Sequence, residues 1–205
     1  MITFDHVAVS GETLKAATEH VENALGVPLQ TGGEHAVFHT HNTLLGLQDG
    51  LYLEAIAINP NAPRPDRPRW FDLDRFSGVP RLTNWICRTD DIDAALARMP
   101  SGAGHPVALQ RGDLKWRMAV PQSGALPFDN CWPALIQWDV PTHPADHLTQ
   151  QGVRLQSLRI AHPDVASLEA TLDGLIEDPR VQFEHADTPG LRATFETPHG
   201  LRHLS

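Results

Sequence analysis

GGEHAVFHTHNTLLGLQDGLYLEAIAINP, residues 32–60, reads as three strand-like pieces around 36–40, 43–48 and 51–58, with a turn at Asp49-Gly50. In the last piece, LYLEAIAI, Leu53, Ala55 and Ala57 share one face, and Glu54 sits on the other. A carboxylate on an otherwise apolar strand is costly to desolvate unless it is paired, holds a metal or lines a pocket. Glu54 is therefore the first candidate for a working group.

Upstream, ITFDHVAVS alternates in the period-2 fashion of a half-buried strand, with Val7 and Val9 facing one way and Phe4, His6 and Ala8 the other. An amphipathic helix follows. Ser10 suits its N-cap, Leu14, Ala17, Val21 and Leu25 form its stripe, and Gly26 with Pro28 ends it. The stripe packs on the Val7/Val9 face, which leaves the His6 face free. Residues 1–58 thus form one β-α-β-β-β unit with His6 on its first strand and Glu54 on its last.

The same succession returns in LTNWICRTDDIDAALARMP, residues 82–100, and continues through VALQRG and KWRMAVP to ALIQWDV. Aligning Leu14 with Ile92 places Asn84 opposite His6 and Gln137 opposite Glu54. A third, shorter round starts at LQSLRIAHPDVASLEATLDGL, residues 155–175, and ends in three short strands. The organisation is a first unit at 1–58, a Pro-rich linker loop at 59–80, a second unit at 81–140 and a third unit at 155–205, all in one compact domain. The linker holds Trp70, Phe71 and Phe76, which read as anchors packed back on the body. The expected class is α+β: repeated βαβββ units forming a curved mixed sheet around a cavity, with helices outside.

Composition narrows the partners. The chain carries 25 acidic and 16 basic residues, a net charge of −9. Nucleic acid is disfavoured, because neutralising phosphates takes clustered Lys and Arg. No apolar run is long enough to cross a bilayer, and the N-terminus reads as a strand rather than a signal peptide. Cys87 and Cys131 make neither a disulfide framework nor a zinc motif, which points to a reducing cytoplasm. Twelve histidines are an excess that favours a metal or acid–base site.

The repeated unit, with FDHVAVS…LGV…GGEHAVFHTHNTLLGLQDGLYLEAIAINP, resembles the glyoxalase-like branch of the vicinal-oxygen-chelate superfamily. The resemblance implies a half-open barrel around a divalent metal (Zn, Mn, Fe, Ni or Mg), with ligands from the first and last strands of each unit. It also makes a homodimer an available assembly. Carried over residue by residue, the ligand positions are His6, Glu54, Asn84 and Gln137, so neutral amides replace the imidazole or carboxylate of the second pair. Two readings follow. One is an enzyme of lyase, isomerase or dioxygenase type acting on a small oxygen-rich metabolite. There His6 and Glu54 are metal ligands or the acid–base pair, and His35, Asn42, Asn84 and Gln137 contact the substrate. The other is a metal-free protein that binds or sequesters a small molecule. In the third unit, Arg159, Arg192 and Arg202 form an anion clamp or surface ion pairs.

Overall fold

The computed structural model describes residues 1–205. Strand β1 (Ile2–Ser10) leads to helix α1 (Leu14–Leu25), then to β2 (Gln30–His35), β3 (Thr40–Leu47) and β4 (Leu51–Ile58). Strand β4 returns parallel to β1, with β3 and β2 outside it. The second unit repeats this plan: β5 (Arg81–Thr89), α2 (Ile92–Leu96), β6 (His105–Arg111), β7 (Leu114–Val120) and β8 (Ala134–Trp138), with β8 parallel to β5. Strands β1 and β5 pair antiparallel, so the two units fuse into one sheet of order β2-β3-β4-β1-β5-β8-β7-β6. The sheet curls until its outermost strands, β2 and β6, touch. This is the α+β architecture of repeated βαβββ units that the sequence predicts.

Helix α1 buries Ala17, Val21 and Leu25, one residue per turn on the side facing β1 and β4. Thr13, not Ser10, is its N-cap and accepts from Ala16 N–H at 3.1 Å. The Ser10 hydroxyl is committed elsewhere, to Thr83 on β5 at 2.7 Å. Gly26 ends the helix at φ 74°.

Two local readings need correction. Residues 36–39 are a tight turn rather than a strand, because His39 adopts φ 51° and its N–H bonds back to the His35 carbonyl. The strand lies upstream, at Gln30–His35, and there the two glycines supply room. A Cβ on Gly32 would fall 2.0 Å from Asn42 Oδ1, and one on Gly33 would fall 2.6 Å from Arg111 Cδ. Second, a register shift between Phe4 and His6 interrupts β1 at Asp5. Phe4 pairs with Cys87 and stacks on Trp85, on the face away from His6.

The third segment runs β9 (Arg154–His162), α3 (Val165–Leu172), β10 (Val181–His185), β11 (Gly190–Thr197) and β12 (Gly200–Leu204). Its strand order is β10-β9-β11-β12, so its first strand lies beside the second and third rather than beside the last. It covers the outside of β5 and α1 and shares one continuous core with the main sheet. Arg159 meets Glu184 at 3.4 Å in the open, the surface-pair arrangement. The loop between the first two units is pinned by Arg69, which reaches Phe38 O at 3.0 Å and Asp74 at 2.5 Å. Trp70 stacks on Phe38, ring centroids 4.4 Å apart.

Candidate active site

Strand alternation aims the polar residues of the first unit at the concave side. His6 lies across from Tyr52, Ala8 from Glu54, and Leu44 of β3 also from Glu54. The second unit answers with Trp116, Met118, Ile136 and Trp138, and with Arg111 from the end of β6. Trp70, Phe71 and Pro144 close the rim. The slot is open to solvent and narrow, with a cavity volume of about 30 Å³.

Glu54 is the centre of this slot. Its Oε1 accepts the Asn42 amide at 2.6 Å and lies 3.9 Å from His35 Nε2. Its Oε2 lies 3.8 Å from His6 Nε2, too far for a hydrogen bond. His35 Nδ1 is held by Thr40 at 2.9 Å. Burial, reinforced by the positive charge of Arg111, pushes the His35 imidazole down to about 3, so it is neutral at physiological pH. Burial pushes the Tyr52 phenol up, helped by the Asp5 and Glu54 carboxylates, so it keeps its proton.

Asp5 organises the second layer. It is fully buried and receives His6 Nδ1–H at 2.6 Å, Trp138 Nε1–H at 3.1 Å and His143 Nε2–H at 3.0 Å, with Arg88 at 3.7 Å. Burial alone would raise its pKa. The hydrogen bonds from His143 and His6 outweigh that and hold the carboxyl well below the usual range. An ionised Asp5 fixes the His6 tautomer with Nδ1 protonated and Nε2 facing the slot. Tyr52 stacks on the His6 ring at 4.2 Å, with its hydroxyl 3.4 Å from Nε2.

His6, Glu54, His35 and Asn42 are therefore brought together, and the other two candidates are not. Asn84 shares a row with Ala8 and Glu54 but is not among the residues lining the slot. It is fully buried, and neither atom of its amide has a partner. Gln137 does not face the slot at all. Its Oε1 accepts Ile92 N–H at the start of α2 at 2.9 Å, and its Nε2 donates to Asp139. Ile136 and Trp138 take the inner face of β8 instead, because shifting a strand match by one residue exchanges its faces.

A divalent metal held at His6, Glu54, Asn84 and Gln137 does not fit this chain, since Gln137 belongs to the helix side. No group of three or more His, Cys, Asp or Glu side chains is arranged to hold a metal ion. Sequence reasoning missed Asp5, Tyr52, Arg111 and His143. Tyr52 was accessible through its parity with Glu54. Arg111 and His143 arrive from distant segments with no local signal.

The fold is that of the vicinal-oxygen-chelate class. The glyoxalase-like domain family profile matches residues 4–176, and the chain belongs to that family. A hypothetical protein from Staphylococcus aureus shares the fold at 14% identity and TM-score 0.61, covering 92% of this chain and 88% of its own. Two others align more loosely. A variant of Streptomyces coelicolor methylmalonyl-CoA epimerase, in complex with 2-nitronate-propionyl-CoA, has 16% identity and TM-score 0.42, over 67% and 97% of the two chains. The Mn(II)-bound glyoxalase from Novosphingobium aromaticivorans has 9% identity and TM-score 0.49, over 98% and 80%. No curated protein matches the sequence. No helix is long and apolar enough to cross a membrane.

Proposed function

We propose that this protein is an enzyme that transfers a proton at a carbon next to a carbonyl in a small oxygen-rich metabolite. Glu54 is the base and His6 the second acid–base group. The observation that carries this reading is the buried Glu54 carboxylate with Oε1 fixed by Asn42 and Oε2 facing His6 Nε2 across 3.8 Å. One oxygen is held and the other is free to work.

In this reading Glu54 Oε2 takes the proton, and the electron pair of the broken C–H bond moves onto the carbonyl oxygen as an enolate. Tyr52, kept protonated by its surroundings, donates a hydrogen bond to that oxygen. Protonation of the same carbon on the opposite face, with His6 as the donor, completes an epimerisation; protonation of the former carbonyl carbon by Glu54, after His6 carries the hydroxyl proton between the two oxygens, completes an isomerisation. Asp5 holds the imidazole in the tautomer that turns Nε2 to the slot. His35 and Asn42 steady Glu54, and neither Asn84 nor Gln137 touches the substrate. The buried free thiols Cys87 and Cys131 suit work in a reducing cytoplasm.

The test is solvent deuterium incorporation, followed by NMR, into a panel of 2-oxo acids and α-hydroxyketones. The expected result is exchange above background in at least one compound, lost by about 10²-fold or more in Glu54→Gln. The aromatic enclosure also favours a sequestering protein of the same fold. Binding without exchange across the panel would establish that second reading in place of the enzyme.

A further inference from the structure

Arg111 is a guanidinium in an aromatic slot with no carboxylate partner. Its one hydrogen bond is to the neutral amide of Asn42, Nη1 to Oδ1 at 3.2 Å, and no acidic side chain forms an ion pair with it. Asn42 stands between Arg111 and Glu54, giving Oδ1 to the cation and Nδ2 to the carboxylate. The two opposite charges therefore share the pocket without neutralising each other. A fork of N–H donors left free beside apolar walls calls for an acceptor from outside.

Two independent observations point the same way. Trp70 lines the same slot, and its indole N–H is buried with no acceptor. A buried donor without a partner is costly, and a ligand oxygen would relieve it. Gly33 is also shaped to Arg111, since a Cβ there would meet the Arg111 side chain at 2.6 Å. The chain of β2 is cut back where the side chain from β6 crosses it.

We infer that Arg111, with the free indole N–H of Trp70, is the carboxylate-binding end of the pocket, and that the ligand is a small carboxylic acid with a flat unsaturated or aromatic body. The planar fork of Arg111 matches a planar carboxylate. Trp70, Trp116 and Trp138 line the slot, so an aromatic or unsaturated ligand body would meet their rings. This inference rests on the slot being the working site and names the substrate class for it. The ligand carboxylate is held at Arg111 while the C–H carbon beside its carbonyl lies toward Glu54.

The experiment is a ¹⁹F NMR titration of the full chain with 4-fluorobenzoate and its neutral counterpart 4-fluorobenzamide, with inorganic phosphate as competitor. The expected result is that the acid binds at least about tenfold tighter than the amide. Arg111→Gln should abolish that preference, Gly33→Ala should weaken it, and phosphate should not displace the acid. Arg111 is part-exposed, so Arg111→Gln carries the test even where Gly33→Ala fails to fold. Equal binding of acid and amide, an unchanged preference in Arg111→Gln, or displacement by phosphate would overturn the inference. Glu54→Gln separates the two proposals: it should retain 4-fluorobenzoate binding while losing proton exchange. Exchange on neutral hydroxyketones without any acid preference would leave the chemistry standing and remove only the carboxylate site.

Discussion

The two halves of the main sheet share one topology and contribute different things. Strands β1 to β4 present His6, His35, Asn42, Tyr52 and Glu54 to the slot, whereas β5 to β8 present Trp116, Met118, Ile136 and Trp138, with Arg111 at the margin. Where the first half places Glu54 inward on its last strand, the second places Ile136 and Trp138 inward and turns Gln137 to cap α2. A repeated unit keeps its hydrogen-bond pattern because the backbone dictates it. Its inward residues are free to diverge. On the proposed reading one half carries the proton chemistry, and the other excludes water and grips the ligand.

The largest expected effect breaks that division on the polar side. His6→Ala and Glu54→Gln should each lower turnover by about 10²- to 10⁴-fold, with ligand binding retained. Asp5→Asn comes next. It should leave the slot in place but release the His6 tautomer, lowering kcat by about 10²-fold or more and moving the acid limb of the pH profile. A purely structural Asp5 would lower stability without moving that profile.

His35 gives a test through stability. Its imidazole stays neutral down to about 3 in the fold, against 6.5 when unburied. The unfolded chain therefore binds a proton that the folded chain refuses between these values. Stability is complete above 6.5 and falls as the pH drops toward 3, by up to about 1.4 kcal/mol per pH unit. Asp5, with its depressed carboxyl, adds its own loss only as the pH falls through the ordinary carboxylate range. Urea unfolding between about pH 6.5 and about pH 4.5 reads His35 together with His41, whose imidazole burial also pushes down, and His35→Gln should remove the larger part of that slope.

A smaller effect concerns the second half. Asn84 is buried with both amide atoms unpartnered. Asn84→Leu should raise stability by about 1–3 kcal/mol without loss of exchange activity. A more stable variant that loses activity would show that the amide contacts the substrate after all.

Sequence patterns made much of this legible, for physical reasons that also mark where they stop. Period-2 alternation sorts LYLEAIAI onto two faces without any tertiary knowledge, so Glu54 stood out, and the strand before α1 exposed His6 in the same way. Alternation fails across a bulge, and the shift between Phe4 and His6 moved Phe4 to the outer face and brought Asp5 beside His6. It fails again when units are matched by counting, because a slip of one residue exchanges Gln137 for its neighbours. Arg111 was invisible for a different reason. It meets Gly33 and Asn42 only because the sheet curls until its far edges touch, while the arginines of the third unit, which the pattern did single out, include one paired with Glu184 at the surface.

The claim that the halves divide the work is tested most directly by deuterium exchange in Glu54→Gln beside Gln137→Ala, residues the repeat placed in equivalent positions. Exchange should fall by about 10²-fold or more in Glu54→Gln. In Gln137→Ala it should stay within about twofold of the unaltered protein, with a loss of about 1 kcal/mol in stability from the missing helix cap. Equal losses of exchange in both variants, or none in Glu54→Gln, would contradict the account.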